Sequence, residues 1–261
     1  MDKIKVLNID ALNITKDELL KGLDNNLTND SSAGNGVLIT PNLDHLVKLQ
    51  EDEEFYHCYQ EAEWVVCDSK ILWLCSKLLP KSFPSPIPGS SFFTDFYKYN
   101  RNNKNCRIFL LGAKEGVAKK AMENINKYIG WPIVIGAHSP SYGFENRPEE
   151  IDDIVDIVNS SGANVVLVGV GAPKQEKFIM KYKDCMPEVK IWMALGATID
   201  FEAGNLKRAP KWIQNCAMEW LYRMYCEPKR MFKRYICNDL IFFWYLLKQI
   251  LHIYKNPFEK K

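Results

Sequence analysis

The 261-residue chain lacks the short signatures that assign a chemistry to most α/β enzymes. It holds no GxGxxG, no Walker lysine motif and no GxSxG elbow, which removes the dinucleotide fingerprint, the P-loop and the hydrolase nucleophile. None of the 8 cysteines forms a CxxC pair, so a zinc ribbon or a dithiol redox motif is not available. Cys216, Cys226 and Cys237 fall in apolar helical stretches, the pattern of reduced, buried thiols. The four histidines, at 45, 57, 138 and 252, are too dispersed for metal-ligand spacing. The opening residues MDKIKVLNI lack the apolar core of a signal peptide, and no run reaches the roughly 18 apolar residues of a membrane-spanning helix.

What is present is a core-forming composition, 47% hydrophobic, with a skewed charge distribution. The formal net charge is only +2, yet residues 207–261 carry twelve Lys or Arg against four Asp or Glu. A basic tail of this kind points to an anionic partner: a membrane surface, a phosphorylated ligand or nucleic acid. Its aromatic content, including LIFFWYLL at 240–247, favours a lipid interface over a phosphate backbone, so no nucleic-acid partner is expected. The competing reading of this tail is a helix pair buried against the core or in a dimer.

Hydrophobic patterning places strands at Ile4–Ile9, Val37–Ile39, Trp64–Val66, Arg107–Leu111, Pro132–Ile135, Val165–Val170 and Val189–Leu195. Helices are expected over 16–29, opened by a Thr15/Glu18 capping box, and over 43–60, 71–79, 115–129, 148–160, 174–183, 211–226 and 231–252. Four prolines between Pro80 and Pro88 exclude a helix there, and the stretch to Phe93 reads as a loop over one face. Gly196–Gly204, carrying Thr198, Asp200 and Glu202, also reads as a loop. The alternation gives an α/β fold class: a three-layer Rossmann-like domain over residues 1–206 with a helical C-terminal appendage over 207–261.

In such a sheet, ligands sit beyond the carboxyl ends of the strands, which selects the candidate groups. The segment NVVLVGVGAPKQE at 164–176 ends a strand with Gly169 and Gly171, where backbone can approach a ligand, and then presents Gln175 at a helix mouth. Thr40 and Asn42 end another strand and suit a sugar hydroxyl or a phosphate; the plainer reading is a turn around Pro41. Asp68 follows a third strand, where a carboxylate can act as general base, or simply cap the helix after it. His138 lies after a fourth. Arg208, Arg223, Arg230 and Arg234 of the tail have the forked guanidinium that matches a diphosphate, or they face solvent.

Taken in order, TPN at 40–42 with Asp44-His45, Asp68, GVGAPKQE at 169–176, the Gly196–Asp200 segment, RAPKW at 208–212 and MEWLYRMYCEPKRMFKRY at 218–235 resemble the bacterial WecG/TagA/CpsF glycosyltransferases. The resemblance covers about residues 5–245. It implies an inverting transferase needing neither metal nor cofactor. Such an enzyme moves a sugar, typically N-acetylmannosamine or its uronic acid, from a UDP-sugar donor to a polyprenyl-diphosphate-linked saccharide at the cytoplasmic membrane face. Carried over, Asp68 matches the base, Thr40 and Asn42 the sugar pocket, Gln175 with the Gly171 turn the donor segment, and Arg223, Arg230 and Arg234 the appendage arginines near the diphosphate. Two positions depart from the pattern. Ser69 stands where a glycine usually follows the base, and SPIPGSSFF at 85–93 has no basic residue before its glycine, leaving Lys81 as the neighbouring cation that could reach in. These departures motivate another hexose as donor, or, from a different class, a non-catalytic protein that binds a nucleotide-sugar or an anionic membrane. The sequence does not fix the oligomeric state.

Overall fold

The computed structural model describes residues 2–28, 35–210, 213, 218–226, 228 and 239–259. An antiparallel hairpin, β1 (Lys3–Val6) and β2 (Ile9–Leu12), precedes the main sheet. A single strand over Ile4–Ile9 was the expectation; instead the chain reverses at Leu7-Asn8, Leu7 adopting a φ of 53°. Next come α1 (Lys16–Thr28), β3 (Gly36–Ile39), α2 (Leu43–Lys48), α3 (Glu53–Glu61), β4 (Trp64–Val65), α4 (Lys70–Ser76) and α5 (Gly89–Tyr99). They are followed by β5 (Ile108–Gly112), α6 (Val117–Ile129), β6 (Val134–His138), α7 (Pro148–Ser161), β7 (Val165–Gly169), α8 (Lys174–Tyr182), β8 (Ile191–Ala194) and α9 (Thr198–Glu202). Two tail helices, α10 (Glu219–Cys226) and α11 (Leu240–Ile250), complete the described chain.

The six strands β3 to β8 pair in parallel in the order β4-β3-β8-β7-β5-β6, with helices on both faces, the three-layer Rossmann-like arrangement expected. The interior strand β7 shows how apolar runs build it. Val166 and Val168 enter one core with Trp192, Phe178 and Ile154, while Val165 and Leu167 enter the other with Ile108, Phe96 and Ile125. All four are fully buried, each contributing about 1.5–3 kcal/mol by removal from water.

Helix boundaries follow local chemistry. Thr15 and Glu18 form the expected reciprocal capping box on α1: the Thr15 N–H donates to Glu18 Oε2 at 2.7 Å, and the Glu18 N–H to Thr15 Oγ1 at 3.3 Å. The helix expected over 43–60 is two, because Asp52 caps a new one by accepting the Phe55 N–H at 2.9 Å. The largest difference is α5, which begins immediately after Pro88 inside the stretch read as a loop. Phe92, Phe93, Phe96 and Tyr97 anchor it, all buried. The short α9 likewise occupies part of the expected 196–204 loop. The expected helix 231–252 is described only from 239 onward.

Candidate active site

The carboxyl ends of β3, β4, β7 and β8 open into a cavity of about 450 Å³, and those of β5, β6 and β7 into a larger one of about 1220 Å³. The two adjoin, sharing Gly169, Val170 and Asp200. Gly169 is required by packing at that junction: a Cβ there would stand 2.7 Å from the Gly196 carbonyl oxygen and 3.0 Å from Ile199 Cδ1.

Asp68 follows β4 by a three-residue step and is half-buried in the wall of the smaller cavity. The helix-cap alternative does not hold for it. Ser69 caps α4, its Oγ accepting the Leu72 N–H at 3.1 Å. The Asp68 carboxylate instead receives the Gly89 N–H on Oδ1 at 2.8 Å, and its own backbone N–H donates to the Pro41 carbonyl at 3.2 Å. The segment that reads as a loop over one face therefore delivers a helix N-terminus to a carboxylate. Gly89 is tightly enclosed. A Cβ on it would meet Leu195 Cδ2 at 2.7 Å and Thr40 Oγ1 at 2.9 Å.

Thr40, Asn42, Gly169, Gly171 and Gln175 all line the smaller cavity with Asp68, so the fold brings these candidate residues together in one place. Asn42 also serves as the cap of α2, accepting the His45 N–H on Oδ1 at 3.2 Å, so the turn role and the cavity position coexist. His138, the last residue of β6, lines the larger cavity. So does Tyr142, 94% exposed, with Lys174 Nζ 5.2 Å from its ring centre. Its loop is tied down. The Ser141 N–H and Oγ each lie 2.6 Å from Glu150 carboxylate oxygens, holding that carboxyl below its ordinary value.

Several participants were not singled out by sequence reasoning. Lys48 is the lysine or arginine that lines the smaller cavity among the described residues; it donates to Asp44 Oδ2 at 2.8 Å and reaches the Ala172 carbonyl at 3.4 Å. Its place four residues after Asp44 on one helix was the available signal. Lys81 does not reach the cleft, being paired with Asp2 of the N-terminal segment. Of the three polar groups after Pro173, Lys174 pairs with Glu145 in the wall of the larger cavity, Gln175 lines the smaller one, and Glu176 is fully buried. Arg208 Nη2 is committed to the Ser90 carbonyl at 2.8 Å and Thr94 Oγ1 at 3.0 Å, with Glu202 Oε1 at 3.5 Å, so it joins α5 to α9. Arg223 lies on α10, while Arg230 and Arg234 lie outside the described residues.

Of the eight cysteines, Cys216 and Cys237 lie outside the described residues. Cys58, Cys67 and Cys106 are buried as expected and Cys75 is half-buried, but Cys185 is exposed. Burial pushes the Cys58 and Cys106 thiols up to about 12, which leaves them inert as nucleophiles.

An open parallel sheet, with a polar cleft at the carboxyl ends of its strands and a fixed carboxylate in the wall, defines an enzyme that acts on a small polar ligand in that cleft. The family model described as the glycosyl transferase WecG/TagA/CpsF family matches residues 4–256, and the chain belongs to that family. It is a glycosyltransferase of cell-surface glycan synthesis, a family that works between a sugar donor and a lipid-linked acceptor. No helix among the described residues is long and apolar enough to cross a membrane.

Proposed function

We propose that the protein transfers a hexose, N-acetylmannosamine or a close relative, from a UDP-sugar to a polyprenyl-diphosphate-linked saccharide, with inversion and without a metal. The observation that carries this reading is the Asp68 carboxylate, held by the Gly89 N–H in the wall of a cavity with sugar-sized volume while Ser69 caps the helix that follows. In this reading the larger cavity takes the nucleotide, with Tyr142 as the flat surface for its base, and the smaller takes the sugar among Thr40, Asn42 and Gln175. Asp68 removes the proton of the acceptor hydroxyl as that oxygen attacks the anomeric carbon and UDP departs. One displacement inverts the centre, and no covalent intermediate is required. Backbone N–H groups around Gly169–Gly171 and the tail arginines Arg223, Arg230 and Arg234 offset the charge that develops on the diphosphate.

The same reading brings the chain to the inner face of the cell membrane through its tail. On α11, Phe242 and Leu246 are buried, whereas Leu240, Phe243, Trp244, Leu247 and Leu251 form an exposed stripe at helical spacing, with Lys248 5.2 Å from the Trp244 ring centre. This combines the two readings of the tail: one face packs on the core and the other stays open to a bilayer interface.

The test is a panel of UDP-sugars against a short-chain polyprenyl-diphosphate-sugar, with products identified by mass. A new product at the mass of acceptor plus one N-acetylhexosamine or hexose unit is expected. Binding of UDP-sugars with no transfer in any pairing would replace this reading with that of a non-catalytic nucleotide-sugar binding protein.

A further inference from the structure

Glu176 is the most deeply buried acid among the described residues, with no exposed surface, and its Oε2 has no hydrogen-bond partner among them. Its Oε1 accepts a 2.8 Å bond from Gln175 Nε2. Gln175 in turn accepts the Gly171 N–H on its Oε1 at 3.1 Å, and its own backbone N–H donates to the Gly171 carbonyl at 3.0 Å. An amide with its oxygen on an N–H and its nitrogen on a carboxylate has only one orientation. One Nε2 hydrogen and one Oε1 lone pair are then left for a ligand in the cavity that Gln175 lines. A fully buried carboxyl with a single side-chain partner is a poor stabilising device, since an apolar side chain of similar size would avoid its desolvation.

We propose that Glu176 is a positioning residue of the donor cleft: its buried carboxylate fixes the Gln175 amide, and through it the Gly169–Ala172 loop, in the arrangement that receives the donor diphosphate. The inference rests on the reading of the cleft as a nucleotide-sugar site. The hold depends on ionisation, because a bond to a carboxylate is roughly twice as strong as one to a neutral carboxyl. Burial pushes the Glu176 carboxyl up to about 7, against the pull of its Gln175 hydrogen bond and of Lys48. The charged and titratable groups that face it are Lys48 from α2 and Cys58 and Tyr59 from α3. Burial keeps that thiol and that phenol neutral in this range. His45 stands beyond Tyr59, its Nδ1 2.7 Å from the phenol oxygen. The cleft therefore tightens on a nucleoside diphosphate as pH rises through about 7.

Titration calorimetry of UDP with the full chain, Glu176→Gln and Glu176→Ala, between about pH 5 and 8, tests this. Glu176→Gln keeps an acceptor for the Gln175 N–H but no charge, so it binds UDP about fivefold more weakly than the unaltered chain at pH 8 and equally at pH 5. Glu176→Ala is weaker at both, by about tenfold or more at pH 8. The terminal phosphate of UDP titrates in the same window, so the readout is the difference between proteins at each pH. Tighter UDP binding by Glu176→Gln would mean that the carboxylate only repels the diphosphate, and would overturn the inference. So would the same pH dependence in Glu176→Gln and the unaltered chain, which would assign the titration to His45 or to UDP alone. This comparison decides the matter even if Glu176→Ala does not fold. UDP failing to bind the unaltered chain would overturn the nucleotide-sugar reading itself, and this inference with it.

Discussion

The two cavities at the carboxyl edge of the sheet are built in different ways. The smaller is walled by groups fixed to main chain: Asp68 on the Gly89 N–H, Asn42 on the His45 N–H, Gln175 on the Gly171 N–H. The larger is bounded on one side by the 138–147 loop, which is held by side chains such as Glu150 and Arg147 and leaves Tyr142 almost wholly exposed. The contrast matches a division of labour. Chemistry requires reacting groups held to a fraction of an ångström, because small misplacements are expensive in rate, whereas recognition of a base tolerates a surface that adjusts. Substitutions around Asp68 should then act mainly on kcat, and those at Tyr142 or at the Gly169–Ala172 junction between the cavities on donor affinity.

The sharpest separation comes from Asp68→Asn. The amide keeps an oxygen for the Gly89 N–H, so the local structure stands, but it cannot take a proton. Turnover should fall by about 10³-fold or more with UDP affinity unchanged, as read by product formation and calorimetry on one preparation. Turnover within tenfold of the unaltered chain would remove Asp68 from the role of base. Gly89→Ala tests the enclosure rather than the chemistry. The added methyl meets the Leu195 and Thr40 side chains closer than real contacts allow, so those side chains or the start of α5 must give way beside the Asp68 hydrogen bond. A loss of up to about 10² in kcat is expected, with about 1–3 kcal/mol of stability. An unchanged kcat would show that the helix N-terminus does not aim the base.

The smaller cavity was largely legible in the sequence and the larger one, His138 apart, was not, for physical reasons. A residue at a strand's carboxyl end faces the cleft by topology, so Thr40, Asn42, Asp68, Gly169 and Gly171 could be gathered once β3, β4 and β7 were recognised as strands. The periodicity of α5 was also present in Phe92, Phe93, Phe96 and Tyr97, but four prolines upstream argued for a loop. Proline there ends the coil at the helix entrance instead of interrupting the helix, so Gly89 as partner of Asp68 was hidden. Tyr142 sits in an irregular loop, where no period ties a residue to a face. Glu176 was not singled out: a polar string at a helix mouth carries no mark of a buried acid, and only the packing of α3 against α8 encloses it.

That enclosure predicts a stability effect opposite in sign to that of most carboxylates. An acid with a folded pKa raised from 4.5 to about 7 binds its proton more tightly in the folded state. Its stabilising contribution is complete below about 4.5 and is lost as pH rises through about 7, by about 3 kcal/mol in all. Urea unfolding of Glu176→Gln should lack this decline and leave the variant more stable than the unaltered chain at pH 8. Parallel pH profiles for the two proteins would contradict it. Joined to the UDP measurement, the outcome expected is a variant that is more stable and binds donor less well, as a charge retained for function should give.

The smallest effect concerns the larger cavity. Tyr142→Ala removes a flat aromatic surface, and stacking of one base on such a ring is worth about 1–3 kcal/mol. The side chain is almost fully exposed, so its loss leaves the core untouched and folding stability within about 0.5 kcal/mol. UDP affinity should fall about tenfold while kcat at saturating donor stays within about twofold. A drop in kcat with unchanged affinity would place Tyr142 beside the reacting centre and dissolve the division between the two cavities. Competition sharpens the same point: uridine should displace UDP-sugar from the unaltered chain and lose that ability in Tyr142→Ala, whereas free sugar should compete equally in both.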